Sequence, residues 1–280
     1  MARPVYIAGL GLSCALGRGL DASLAELRRG RRNTVPMELG GYSEAVRMPY
    51  YALAPSTGSG QAPLAGPGQA AGDADLFDTG RFLRLIPEAA AEALGQAGLP
   101  PDQRRGMAIL VGSTAFGVSR AEGEYLEVLA REPGAAFALP RVGFSEITER
   151  LREAFGLEGR DYAFNTACTA SANALLAAQR LISLGRVEHA LVLGLELANR
   201  TTITGFSGLQ LLAQELRPFD ADRTGIVLGE GLGAVVLSAK PGGLGLRLAG
   251  GASNSDTFSV TTANPDGGSI AALQRAVLAQ

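Results

Sequence analysis

The chain predicts an α/β fold in which a mostly parallel sheet is covered by helices on both faces. Short aliphatic runs at residues 107–111, 189–197 and 232–239 have the length and continuous apolarity of strands buried on both sides. Longer segments with a helical apolar period lie between such runs. The 38 glycines gather at strand ends and helix starts without a fixed period, which excludes collagen and solenoid repeats.

Residues 5–11 read as a buried first strand. An export signal is the weaker reading: the N-terminus carries one arginine, Gly9 and Gly11 interrupt the run, and a good small-x-small cleavage site is missing. Asp21 is placed to cap a short helix ending at Arg29, whose basic end suits the helix dipole. Residues 31–75 are the least structured stretch. Within them, residues 54–72 form a Pro/Gly/Ser/Ala loop expected to be a surface excursion. Residues 79–98 predict a helix with Phe82, Leu85, Ile86, Ala89 and Ala93 on one stripe.

A strand at 107–111 and a turn at 112–114 follow, then helices at 119–131 and 142–155. A short strand at 161–165 runs into an alanine-rich helix at 168–184, expected to be buried on most sides. Strands follow at 189–197, 226–230 and 232–239, the last two joined through Gly229-Glu230-Gly231. After Pro241-Gly242-Gly243 come a strand at 244–251, a loop, and a helix from residue 268 that reaches Gln280 without a C-cap glycine. The sequence expects that strand and unfinished helix to need a further packing partner.

Composition removes several function classes. Net charge is −2 with no basic block, which argues against nucleic-acid binding. No apolar run is long enough to span a membrane. Two cysteines make no disulfide framework, so Cys14 and Cys168 are expected as thiols in a reducing cytoplasm. Metal-ligand spacing, a phosphate-binding loop and a Gly-x-Ser-x-Gly elbow are all missing. Gly9-Leu10-Gly11 hints weakly at dinucleotide binding, but the third glycine does not come at the required offset.

The chemistry points to Cys168, in Asn165-Thr166-Ala167-Cys168-Thr169-Ala170-Ser171, where a strand runs into a helix. There the helix N–H groups and dipole favour a thiolate. Position alone leaves a nucleophile and a small buried hydrophobe equally good readings. The small neighbours favour the nucleophile, since they let a substrate or another chain approach and would fill a core poorly. Cys14 reads as packing. His189 reads as structural: a helix of roughly 17 residues spans about 25 Å and should hold His189 and Cys168 near opposite ends. In residues 217–231, Asp220, Asp222 and Glu230 are set to pair with Arg217 and Arg223 as a salt-bridged corner.

Together these pieces resemble the β-ketoacyl-acyl-carrier-protein synthases, condensing enzymes of the thiolase fold. Thr166-Ala167-Cys168-Thr169-Ala170-Ser171 is similar to the family's nucleophile motif. Arg217-Pro218-Phe219-Asp220 running to Gly229-Glu230-Gly231-Leu232-Gly233 is similar to a second motif, and Ala8-Gly9-Leu10-Gly11 with Gly30 to the opening segment. The resemblance implies a first βαβαβαββ repeat over residues 1–240 and a second repeat only begun, and truncated, over 241–280. It implies an acyltransferase that loads an acyl group on Cys168 and condenses it with a decarboxylated malonyl unit, in fatty acid or polyketide/polyene synthesis. Substrates would arrive on the phosphopantetheine of acyl carrier protein, with no separate cofactor and no metal.

Two softer carry-overs are Ala115 and Phe206, at positions that line the family's acyl tunnel, where plain core packing competes equally. The family's two catalytic histidines, its lysine and its Gly-Phe-Gly turn lie in the second repeat, and His189 matches neither histidine. The resemblance therefore implies that these residues alone do not condense. The expected partners are acyl carrier protein and a second chain, as homodimer or as heterodimer with a related chain. The competing reading is a non-catalytic module that binds the carrier or pairs with a complementary chain. A coenzyme A-dependent thiolase is a third reading, disfavoured by residues 217–233.

Overall fold

A computed structural model describes residues 3–40, 45–53, 76–77, 79–114, 116–138, 143–259 and 262–280. The expected loop at 54–72, Ala115, the predicted helix start at 142 and the side chain of Phe82 lie outside the described residues.

The main sheet has seven strands: β1 (Tyr6–Cys14), β2 (Gly17–Arg18), β5 (Ala108–Gly112), β6 (Asp161–Phe164), β7 (His189–Glu196), β8 (Gly231–Ser238) and β9 (Leu246–Arg247). Their order is β2-β1-β8-β7-β5-β6, with β9 also paired to β1. β6, β5 and β7 run parallel, whereas β8 is antiparallel to both β7 and β1. The sheet is thus mixed, which corrects the expectation of a mostly parallel one. Helices cover both faces, so strands of either direction carry the same continuous apolar run and direction is not encoded in it.

The pleat sorts alternate residues to opposite faces. Ile109, Val111, Leu191 and Leu193 pack toward α2 (Thr79–Ala97) and α5 (Phe144–Phe155), against Leu85, Ile86, Ala89, Ile147 and Leu151. Ala108, Leu110, Ala190 and Val192 face α6 (Ala170–Ser183), which contributes Ala174, Ala178 and Ile182. Gly9 and Gly11 find their role here. A Cβ on Gly9 would lie 1.9 Å from the Ala93 carbonyl oxygen, and one on Gly11 2.0 Å from that of Ala89. These glycines let β1 press against the backbone of α2, and the dinucleotide hint falls away.

Several local expectations change. The short first helix, α1 (Leu20–Arg28), is not capped by Asp21: the residue before it is Gly19, and Asp21 sits in the first turn. The Glu92 carboxylate of α2 instead accepts hydrogen bonds from the Leu20 and Leu12 N–H groups. The stretch expected to be least structured contains an antiparallel pair, β3 (Val35–Leu39) and β4 (Val46–Tyr50), packed on Ala198 and on Ile203 of α7 (Arg200–Gly208). Residues 226–230 make only isolated bridges, Tyr51 with Gly229 and Leu212 with Ile226. The strand expected at 244–251 shrinks to the two residues of β9.

α3 (Pro101–Arg105) and α4 (Phe116–Arg131) complete the first part, and α8 (Gly268–Leu278) is the last helix. No residue of α8 is buried.

Candidate active site

Phe164 ends β6 at the sheet edge, and the chain turns through Asn165 and Thr166 into a 3₁₀ turn, Ala167–Thr169, before α6 begins at Ala170. Cys168 therefore sits in the turn leading into the helix, at its N-terminal end, and its side chain is exposed. Ala167 holds a φ of 50°, a left-handed conformation uncommon for a residue with a Cβ.

The turn is braced by a small polar network. Thr169 Oγ1 donates to the Thr166 carbonyl at 2.7 Å. Asn173 Nδ2 donates to Thr166 Oγ1 at 2.8 Å and to Thr169 Oγ1 at 3.2 Å. The two threonines thus do more than leave room for approach. Asn173 was missed in the sequence, although an amide one turn after Thr169 on an alanine-rich helix is a readable signal.

Two glycines let this helix start lie flat on the sheet. A Cβ on Gly112 of β5 would stand 2.5 Å from the Ala170 carbonyl carbon and oxygen, and one on Gly194 of β7 2.5 Å from Ser171 Oγ. Cys168 lines an open cavity of about 230 Å³, together with Ser113, Thr114, Ser171, Glu196 and Gly231 among others. α6 itself buries only the stripe Ala170, Ala174, Ala178 and Ile182, so it is buried on one side rather than on most.

Glu196 ends β7 inside this cavity and escaped the sequence reading, though a carboxylate closing an apolar strand is its signal. Burial pushes its carboxyl above the usual range, opposed by hydrogen bonds from Thr114 and from the Leu197 backbone. Ser113 is wholly buried, and its hydroxyl has no hydrogen-bond partner.

The charged corner forms differently from the expectation. Arg217 pairs with Glu215 at 2.8 Å, and Arg223 Nη1 donates to the Asp220 carbonyl at 2.9 Å. Asp220 Oδ1 accepts from the Asp222 N–H. Glu230 turns inward and pairs with Arg81 of α2. It also accepts from the Leu53 N–H at 2.9 Å and the Ala198 N–H at 3.3 Å. Burial raises its carboxyl pKa, with Arg81 the largest opposing influence. The local sequence suggested nearby arginines; the partner that wins is 149 residues away. The effect on the site is to anchor the chain beside Gly231, a cavity wall.

The other candidates lie apart. His189 begins β7, whereas the cavity is met at Gly194–Glu196, so about 20 Å of strand separates them. His189 is 5% exposed, its Nδ1 has no partner, and burial lowers its pKa. Cys14 is half-buried, packs against the core, and has its sulfur 3.5 Å from Ser23 Oγ. Phe206, on α7, is partly buried and not among the residues that line the cavity. Among the described residues, no group of three or more His, Cys, Asp or Glu is placed to hold a metal ion. Among them, too, no helix is long and apolar enough to cross a membrane.

The structure presents a cysteine at a strand-to-helix turn within an α/β fold, and comparison with known proteins shows the family. Residues 2–241 match the family described as "Beta-ketoacyl synthase, N-terminal domain", and the chain belongs to that family. Nodulation protein E of Rhizobium sp. (strain N33) is 28% identical over 249 residues, spanning 85% of this chain and 58% of that protein. A ketosynthase in complex with its chain length factor, from Xenorhabdus doucetiae, superposes with a TM-score of 0.75 at 22% identity, over 96% of this chain and 65% of that one. A type II polyketide acyl carrier protein complex with its hexaketide-bound ketosynthase gives 0.76 at 20% identity, over 100% and 70%. The fold is thiolase-like. The chain spans 58% of the length of the nodulation relative.

Proposed function

We propose that this chain carries the acyl-accepting half of a β-ketoacyl-acyl-carrier-protein synthase. One observation supports it above others: in a chain of the beta-ketoacyl synthase family, Cys168 is an exposed thiol that lines a cavity, in the turn leading into a helix. In the loading step the Cys168 thiolate attacks the carbonyl carbon of an acyl thioester on the phosphopantetheine of an acyl carrier protein. A new carbon–sulfur bond forms, the pantetheine sulfur leaves, and it takes up the proton that Cys168 gave up. The sulfur that attacks is carried by the exposed turn that leads into α6.

The condensing half decarboxylates a malonyl unit and directs the resulting carbanion at the loaded thioester. That needs donors for the enolate oxygen, which the family takes from two histidines. The single histidine here, His189, lies at the far end of β7. Condensation in fatty acid or polyketide synthesis therefore requires groups that these 280 residues do not supply. On this reading residues 1–240 form the repeat that carries the nucleophile, and residues 241–280 open the second. Ala115 and Phe206 would border the acyl tunnel. The partners would be acyl carrier protein and a like or related chain, since neighbours were solved with a chain length factor and with a carrier; the compartment would be the cytoplasm.

The test is mass spectrometry after exposure to an acyl-pantetheine thioester. One acyl group on Cys168, lost in Cys168→Ala, is the expected result. Carrier binding without any adduct would favour the competing reading of a non-catalytic module, for which the lone, buried His189 speaks.

A further inference from the structure

Glycine weakens a strand, and its presence there usually marks a special φ or a close approach by backbone or ligand. Gly112, Gly194 and Gly231 lie toward one end of three neighbouring strands, β5, β7 and β8. The first two are accounted for by α6, whose first residues would be struck by a Cβ at either position. Gly231 has no such neighbour. Its φ is not positive, and apart from its two chain neighbours no described heavy atom lies within 4 Å of where its Cβ would stand. Yet it lines the same cavity as Cys168.

Register shows which way the missing side chain would point. Glu196 and Gly231 are cross-strand partners, and so are Gly194 and Gly233. Partners across a sheet share a face, as do residues two apart on one strand. Gly231 is therefore bare on the face where a Cβ at Gly194 would meet Ser171, and Ser171 is itself part of the cavity wall. The open space at Gly231 is cavity space.

Resting on the acyl-accepting reading above, we propose that Gly231 is a specificity-determining residue: it leaves a methyl-sized space in the cavity wall that admits acyl units branched beside the thioester carbonyl. Size agrees with this. A cavity of about 230 Å³ holds on the order of eight water-sized groups of about 30 Å³. A short acyl group on Cys168 fills much of it and comes against the wall at Gly231, so the room there is room for its first few carbons. A methyl group placed on Gly231 takes up the space that a branch needs. One methyl group too many in a closely fitted pocket changes selectivity by roughly tenfold or more.

The experiment compares loading of Cys168 by isobutyryl-pantetheine and butyryl-pantetheine on the intact chain, with adducts counted by peptide mass. Each rate is divided by that for free cysteine, which removes the intrinsic difference between the thioesters. Wild type is expected to load the two at comparable corrected rates. In Gly231→Ala the isobutyryl-to-butyryl ratio should fall about tenfold, and in Gly231→Val further. Gly233→Ala is the control: Gly233 shares the strand and the face, is equally open, and is not among the residues that line the cavity. Its ratio should match wild type. Circular dichroism verifies that the variants are folded, and the wild-type ratio needs no variant at all. Exclusion of isobutyryl by wild type, an unchanged ratio in folded Gly231→Ala, or an equal fall in Gly233→Ala overturns the role of Gly231 while leaving acyl loading standing. No adduct from either thioester overturns the loading reading, and this role with it.

Discussion

Glu230 and Arg81 form a buried ion pair with Arg81 Nη2 2.5 Å from Glu230 Oε1, the two side chains 0% and 8% exposed. The pair joins the segment before β8 to α2 and, through the Leu53 and Ala198 N–H groups, to two further stretches of chain. Four parts of the sequence thus meet on one carboxylate one residue from the cavity wall at Gly231. Arg81→Met strips the charge partner and leaves a buried carboxylate, which is expected to lower unfolding free energy by about 3–5 kcal/mol in urea titrations. Glu230→Gln should cost less, because burial already works against the charged form of this carboxyl. If Arg81→Met melts like wild type, the pair does not hold the segment.

The flat seating of α6 on the sheet gives a second prediction. In Gly112→Ala the new methyl meets backbone atoms of Ala170 at 2.5 Å, and backbone does not swing aside as a side-chain tip does. The expected loss is about 1–3 kcal/mol, together with slower alkylation of Cys168 as the turn is displaced. Gly95→Ala is the control. Gly95 is exposed on α2, where an added methyl group would meet nothing beyond its own helix turn, so the change should stabilise by about 0.5–1 kcal/mol. Equal stability of the two variants would remove close packing as the reason for Gly112.

The fold was legible where a signal is local and periodic. The stripe Leu85, Ile86, Ala89 and Ala93 placed α2, and the aliphatic runs placed β5, β7 and β8. Strand direction was not, because a strand buried on both faces reads the same either way along. The site divided similarly. Cys168 stands out through its motif, whereas Ser113 and Glu196 join it only because two parallel strands, β5 and β7, end side by side. Register sets that meeting: Gly112 pairs with Gly194, bringing the residues that follow each glycine to one cavity. Pairing of Glu230 with Arg217 or Arg223 was the natural short-range guess. It failed because a carboxylate that turns inward needs a buried cation, and α2 supplies one.

The two thiols should differ in reactivity. Cys168 is exposed at the N-terminal end of a helix, while Cys14 is half-buried against the core with its sulfur near Ser23 Oγ. With iodoacetamide at neutral pH, Cys168 is expected to react at least about tenfold faster, read by peptide mass over time. Equal sluggishness of both in folded protein would sink the idea of a presented nucleophile, and with it the loading step. Cys168→Ser should leave Cys14 alkylation at its slow rate.

His189 provides the pH dependence. Its pKa is lowered by burial, with Glu188 acting in the opposite sense and Lys240 adding to the lowering. The folded protein therefore holds a neutral imidazole that the unfolded chain would protonate near its ordinary pKa of about 6.5. The unfolded state binds the extra proton, so stability rises with pH through this window. The contribution is complete above about pH 6.5 and is lost as pH falls toward the depressed folded value. Nδ1 has no partner in the folded state, so the ring gains nothing there to offset its burial. His189→Leu removes both the titration and the unpaired nitrogen while keeping an apolar strand residue. Its unfolding free energy should match or exceed wild type at pH 7 and fall less steeply between about pH 6.5 and pH 5. A parallel fall in both proteins would assign the acid sensitivity to other groups.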